Sequence, residues 1–244
     1  MDAVIIQART GSTRLPGKIL LPFYQNESIL DILVKKLKKK LSMPLIIAST
    51  TNPNDDIIEA IYKKQGINIF RGDENDVLKR FIDCAEQYGA QRIIRVCADN
   101  PFLNVDSCLE ILNYQADYCS YQTSRGIPSI KTHYGFWAEA MTLDALIKVS
   151  QNAREAVYHE HVSNYIYANP TKFDIKWLPI PAEIEKFKIR LTIDTVEDFE
   201  IAQKIYNDLF EYNHNFSPRD VVDYLKAKNE YLPLMHKQIE KNTK

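Results

Sequence analysis

Four short apolar runs rich in Val and Ile punctuate the first hundred residues: Ala3 to Gln7, Pro44 to Ser49, Ile67 to Phe70 and Arg92 to Cys97. Runs this short and this continuously apolar suit parallel strands covered on both faces. The stretches between them have helical period. In Ser28 to Leu41 the residues Ile29, Leu30, Leu33, Val34, Leu37 and Leu41 recur at three and four positions. Lys35, Lys36, Lys38, Lys39 and Lys40 cover the opposite side, which predicts a solvated helix face. Asn54 to Gln65 and Asp76 to Gly89 predict two further helices, each opened by Asn or Asp as a cap and followed by Gly66 or Gly89 as a stop. Strand and helix therefore alternate, and that alternation predicts a parallel α/β sheet with right-handed crossovers.

After a helix over Asp106 to Asn113 the order is less regular. Tyr118 to Thr123, Tyr134 to Ala140 and Phe173 to Leu178 read as strands, with helices over Leu143 to Val149 and Glu155 to Asn169. Ile189 to Ile193 reads as another strand, Val196 to Phe210 as a helix and Pro218 to Lys226 as the last one. A mixed sheet with an inserted hairpin fits this order better than a pure Rossmann repeat. No internal repeat or linker breaks the chain, so one domain is expected over residues 1–228, with a polar, Lys-rich tail over 229–244 that frays.

Composition narrows the function classes. Lys and Arg number 31 and Asp and Glu 32, a net charge of −1, so no nucleic acid is expected as partner and any anion site must be local. No run approaches the length of a membrane span, and Met1-Asp2 leads straight into a strand without a basic leader, which predicts a soluble cytoplasmic protein with no membrane partner. Cys84, Cys97, Cys108 and Cys119 form no C-x-x-C pair and read as reduced core thiols.

The chain has only seven glycines, and two of them, Gly11 and Gly17, flank one loop directly after the first strand. The segment Gln7-Ala8-Arg9-Thr10-Gly11-Ser12-Thr13-Arg14-Leu15-Pro16-Gly17-Lys18 combines three cations, two kinds of hydroxyl and two flexible backbone points. Such a loop can turn backbone N–H groups toward phosphate oxygens while Arg and Lys neutralise them. It is not a Walker A loop, because five residues separate the glycines and Ile19 stands where Ser or Thr would meet Mg²⁺. Ser12 has no His and Asp arranged around it, which disfavours a nucleophilic hydrolase, and the dispersed aromatics form no stacking stripe for single-stranded nucleic acid.

Asp99 and Asp194 each follow an apolar run. Taken singly, each suits a turn or cap, with Glu197 three residues beyond Asp194. Taken together, two carboxylates at the carboxyl ends of strands can converge on the crevice of an α/β sheet, where Mg²⁺ takes one or two carboxylates plus phosphate oxygens. His159 and His161 are two residues apart and do not share a helix face, so no chelating pair is expected. For these two a phosphate or sugar-hydroxyl contact and a structural role both stay open.

The segment from Gln7 to Lys18 resembles the N-terminal signature of the sugar-activating cytidylyltransferases. It is most similar to the spore-coat-polysaccharide-type branch, related to the acylneuraminate and 3-deoxy-manno-octulosonate cytidylyltransferases. Phe70 to Arg80, Arg95 to Phe102 and Arg190 to Asp198 resemble further segments of that family. His159-Glu160-His161-Val162-Ser163-Asn164-Tyr165 is similar to a family R-E-H-V-T-P-Y stretch, with His159 for Arg and Asn164 for Pro. Trp137 stands where the family usually carries an acidic residue after Gly135, a departure on the acceptor side.

The resemblance implies a single-domain Rossmann-like nucleotide-diphospho-sugar transferase fold, a mixed, mainly parallel sheet flanked by helices. It implies a Mg²⁺-dependent transfer of CMP from CTP to a sugar acid, with pyrophosphate released, in surface glycan synthesis. The expected partners are CTP, a small sugar-type acceptor and a second copy of the chain in a homodimer. Arg9, Lys18 and Asp99 are the implied catalytic residues, and Asp99 and Asp194 the metal ligands. Ala8, Arg9, Gly11, Ser12, Arg14, Lys18, Arg71, Gly72, Asp73 and Glu74 are the implied nucleotide contacts, with Arg71 to Glu74 bordering the cytosine largely through backbone. An acidic acceptor needs a cation from Arg125, Lys131, Lys188 or Arg190. The alternatives are a phosphorylated sugar or small alcohol as acceptor, and a non-catalytic nucleotide-binding protein of the same fold.

Overall fold

The computed structural model describes residues 1–242. In chain order its strands are β1 Asp2–Gln7, β2 Pro22–Tyr24, β3 Glu27–Ser28, β4 Leu45–Thr50, β5 Asn68–Gly72, β6 Arg92–Cys97, β7 Tyr118–Gln122, β8 Glu139–Thr142 and β9 Ile175–Pro179. The helices are α1 Ile29–Lys40, α2 Asp56–Lys64, α3 Val77–Tyr88, α4 Val105–Leu112, α5 Leu143–Asn152, α6 Ala156–Glu160, α7 Asn164–Ala168, α8 Ala182–Glu185, α9 Val196–Tyr212, α10 Pro218–Ala227 and α11 Tyr231–Lys241.

Seven strands form one sheet in the order β5-β4-β1-β6-β8-β7-β9. All are parallel except β8, which runs antiparallel to both neighbours, β6 and β7. Successive residues of β1 face opposite sides of the sheet. Ala3 and Ile5 pack in one core with Leu78, Phe81 and Leu146, whereas Val4 and Ile6 pack in the other with Leu33, Leu37 and Ile205. Helices thus cover both faces, which is why the first strands read as unbroken apolar runs. Ser28 caps α1 in a capping box with Asp31, and Gly89 ends α3 in the left-handed region at φ 67°. Among the described residues no disulfide joins the four cysteines. Burial pushes the thiols of Cys84 and Cys108 up to about 12 and that of Cys119 to about 11.

The second half departs from the sequence expectations in identifiable ways. Tyr134 to Ala138 is not strand: Gly135 takes φ 70° and its Cα faces the Leu191 backbone, where a Cβ would sit only 3.3 Å away. Ile189 to Ile193 is irregular, with a bend at Thr192, and lies outside the sheet, because its N–H groups go to loops. Leu191 donates to the His133 carbonyl at 2.8 Å and Ile193 to the Asp99 carbonyl at 3.2 Å. Glu155 to Asn169 is broken into α6 and α7. The tail beyond Lys228 does not fray as far as Asn242: it forms α11, whose Met235 is buried in the first core, and an Arg14 guanidinium meets the Asn242 side chain. Residues 243 and 244 of the expected tail lie outside the described residues.

Candidate nucleotide site

The cation-rich loop leaves the end of β1 and is anchored from below by an acid that the sequence pattern did not single out. Asp55, buried at the start of α2, accepts from both the backbone N–H and the hydroxyl of Thr10 at 2.7 Å, and from the Thr50 hydroxyl. Burial alone would raise this carboxyl, but the bonds from Thr50 and Thr10 hold it below its ordinary value, so it stays charged. The loop closes on itself where the Gly17 N–H meets the Thr10 carbonyl at 2.9 Å, with Gly17 at φ 68°, a conformation glycine adopts without strain. Ser12 accepts from the Leu15 N–H, Ala8 is buried at the strand end, Arg9 is partly buried and Arg14 is exposed.

Lys18 follows Gly17 and reaches across the sheet edge. Its Nζ donates to Asp99 Oδ2 at 2.9 Å and also to the Ile193 carbonyl, and it lies 3.4 Å from Asp194 Oδ1. Burial would lower this ammonium, but Asp99 and Asp194 hold it above its ordinary value. Arg14 approaches Asp194 at 3.3 Å from the open side. Neither acid is a helix cap: Asn104 caps α4, and Thr195 with Asp198 forms the capping box of α9. The capping alternative therefore falls for both, and two carboxylates converge on one cation. The donor set fits a hard divalent cation that would take one or two carboxylates and complete its shell from phosphate.

Asp194 is held from behind by Arg190, whose side chain is fully buried. One arm donates to Asp194 at 2.8 Å, the Nε and Nη2 donate to Asp198 at 2.7 and 2.8 Å, and Nη1 lies 2.6 Å from His133 Nδ1. Arg190 is thereby committed to the acids and is no candidate for an acceptor cation. Lys131 lies over the Tyr167 ring at 4.9 Å. A cavity of about 110 Å³ opens beside both acids, lined among others by Asn100, Ser129, Thr132, Trp137 and Thr192. Trp137 stacks on Tyr121 with ring centres 5.4 Å apart and forms a wall of that cavity. Two polar atoms of the lining, Asn100 Oδ1 and Thr192 Oγ1, are buried without a hydrogen-bond partner among the described residues.

On the other side of the loop, Arg71 and Gly72 end β5, and Asp73 and Glu74 follow it. The Arg71 side chain turns toward α2, bonded to the Thr50 and Asn52 carbonyls at 2.7 and 2.8 Å and paired with Asp56 and Glu59. Asp73 accepts from the Asn75 and Asp76 N–H groups, which hold its carboxyl below the ordinary value, and Glu74 accepts from Asn52 at 2.9 Å next to Gly11. Gly72 is required by packing: a Cβ there would meet the Arg80 stem and the Phe70 ring at 2.9 Å.

Two charged groups in apolar surroundings also escaped the pattern. Arg95, inside the apolar run of β6, pairs with Glu139 at 2.6 Å and holds Gln7 Oε1 at 2.9 and 3.1 Å, while the buried Tyr118 hydroxyl also donates to Glu139. Arg80 lies on the buried face of α3. For both, the available signal is a charge at an apolar register position. His159 uses both ring nitrogens in structure, 2.8 Å from Asp76 and 3.2 Å from the Ala153 carbonyl, whereas His161 is exposed.

A mainly parallel sheet carrying a cation-rich loop and two facing carboxylates at one edge is the arrangement of a nucleotidyltransferase. The chain belongs to the cytidylyltransferase family, whose model matches residues 3–230. It is 38% identical over 208 residues to the spore coat polysaccharide biosynthesis protein SpsF of Bacillus subtilis, spanning 83% of this chain and 85% of that one. It is 37% identical over 224 residues to an uncharacterised protein of Methanocaldococcus jannaschii, spanning 91% and 88% of the two. Among solved structures, a cytidylyltransferase from Leptospira borgpetersenii superposes with a TM-score of 0.82 at 30% identity over 95% of this chain and 96% of that one. A CMP:2-keto-3-deoxy-manno-octonic acid synthetase complexed with CTP shares the fold with a TM-score of 0.62 at 14% identity, over 84% and 97% of the two chains. The fold is that of the nucleotide-diphospho-sugar transferases. No helix among the described residues is long and apolar enough to cross a membrane.

Proposed function

We propose that the protein transfers CMP from CTP to the hydroxyl of a sugar acid and releases pyrophosphate, with Mg²⁺ as cofactor. The observation that carries this reading is Lys18 Nζ lying between Asp99 and Asp194 at the foot of the cation-rich loop. The acceptor oxygen bonds to the α-phosphorus as the bond to the bridging β-oxygen breaks. The reaction asks the protein for positioning and charge neutralisation rather than for a covalent intermediate.

Arg9, Ser12, Arg14 and Lys18 bind the triphosphate, Lys18 meeting charge that develops on the departing pyrophosphate. Asp99 and Asp194 would hold the Mg²⁺, which when bound neutralises phosphate charge and lowers the pKa of the acceptor hydroxyl. Arg190 and Asp198 keep Asp194 turned toward the crevice. The cavity beside the acids offers Asn100, Ser129, Thr132 and Thr192 to sugar hydroxyls and the ring of Trp137 to a sugar face. Arg14 and Lys18 both meet Asp194, which lines that cavity, and would also stand beside an acceptor carboxylate bound there.

The test is pyrophosphate release by the purified protein given CTP and Mg²⁺ with a panel of sugar acids, sugar phosphates and small alcohols. Turnover with a sugar acid is expected. Turnover only with a phosphorylated acceptor or an alcohol would replace the acceptor assignment, and equal use of a purine triphosphate would overturn the donor assignment.

A further inference from the structure

The residues that the family model matches end at 230, and α11 begins at Tyr231. This last helix is seated on the domain: its Met235 and Gln238 are buried, and it packs against α9, the helix that starts directly after Asp194 and Thr195. At its C-terminal end the amide of Asn242 is fixed in one sense. Nδ2 donates to the Gln238 carbonyl at 2.9 Å and to Gln238 Oε1 at 3.1 Å, which leaves Oδ1 facing the other way, where it accepts from Arg14 Nη1. The other arm of the same guanidinium, Nη2, lies 3.3 Å from Asp194 Oδ1. Arg14 thus spans from the C-terminal helix to an acid of the site, held by a residue 228 positions away in sequence.

The chemistry of this contact suits a phosphate ligand. The Arg14 side chain is 49% exposed and stands on a loop. A long side chain this exposed loses rotamer freedom when it meets an anion, and a contact that already restricts it lowers that cost. Asn242 does so without adding charge: its amide oxygen accepts a hydrogen bond and leaves the guanidinium cationic, whereas a carboxylate there would oppose phosphate binding. Asp194, the second contact, divides its one charge among Arg14, Lys18 and Arg190. The cation is therefore oriented but not neutralised.

We propose that Asn242 is a positioning residue of the nucleotide site, holding Arg14 in the orientation that meets the triphosphate. The C-terminal helix, outside the residues the family model matches, is then part of the nucleotide-binding apparatus of this chain. The inference rests on the reading of Arg14 as a triphosphate contact.

The experiment is a double-mutant cycle. Wild type, Asn242→Ala, Arg14→Ala and the double variant are compared for CTP affinity with Mg²⁺ by calorimetry and for melting temperature without nucleotide. Arg14→Ala is expected to lose roughly 10-fold or more in affinity, since a charge-assisted contact to phosphate is removed. Asn242→Ala is expected to lose about 3- to 10-fold, the effect of leaving one long side chain to be ordered by the ligand. Its melting temperature should stay near that of wild type, because the contact it removes is exposed. In the Arg14→Ala background Asn242→Ala should cost nothing further, because the residue acts through Arg14. Additive losses in the double variant, or an Asn242→Ala protein that binds CTP as wild type does, overturn the inference while leaving cytidylyl transfer standing. Arg14→Ala with unchanged CTP affinity overturns it as well, together with the role of Arg14. Wild-type protein that does not bind CTP overturns both the inference and the cytidylyl-transfer reading.

Discussion

Lys18 Nζ lies 2.9 Å from Asp99 Oδ2, although 81 residues separate the two in sequence. The pair joins the loop that follows β1 to the turn that follows its neighbour β6, so the cation-rich loop and the acid are held in one frame. Lys18→Ala is expected to cut kcat/KM by roughly 10²-fold or more, since it removes a charge-assisted contact to phosphate. Steady-state kinetics on the folded variant is the check, and unchanged kinetics would remove Lys18 from the machinery. The ammonium is raised above its ordinary 10.5, so the stability it contributes is present below pH 10.5 and is lost as pH rises through the raised value.

The two acids separate under amidation. Asp99→Asn leaves the mostly buried Lys18 its second acid, Asp194, at 3.4 Å, so the melting temperature should fall only slightly while Mg²⁺-dependent pyrophosphate release falls. Asp194→Asn also takes a charge from the fully buried Arg190, so both melting temperature and turnover should fall. Thermal unfolding and pyrophosphate release on the same preparations decide it. Retained turnover at either position would strip that residue of a ligand role.

Asp55→Ala leaves the Thr10 N–H and the Thr10 and Thr50 hydroxyls without their acceptor, at about 1–3 kcal/mol for an unsatisfied buried group. The loss should appear in denaturant unfolding together with weaker CTP binding, because the loop is anchored there. Since the Asp55 carboxyl is held below 3.8, its contribution is present above that pH and lost as pH falls through the depressed value.

His159 is held above its ordinary 6.5 chiefly by its bond to Asp76. The stability from that charged pair is fully present below pH 6.5 and disappears as pH rises through the raised value. The melting-temperature difference between wild type and His159→Gln should therefore shrink across neutral pH. A difference independent of pH between about 5 and 9 would show that only the packing of the ring matters.

The alternation of apolar strand and amphipathic helix determined the parallel half of the sheet, because a strand buried on both faces has to be written in Val and Ile whatever its partners. Glycine scarcity and clustered cations likewise set the loop from Ala8 to Lys18 apart, since both features fall within one short segment. The second half was less legible. Ile189 to Ile193 has a strand's composition, yet its N–H groups find loop carbonyls, and α11 looked like polar tail because the burial of Met235 depends on surfaces far away in sequence. Tertiary structure alone decided that Asp99 and Asp194 face one ammonium rather than cap helices, that Arg190 serves an acid rather than an acceptor, and that Asp55 and Arg80 stand beneath the site. Each of these is an electrostatic relation between side chains brought together by folding. A sequence records the charges but not their separations, and at these distances separation decides the energy.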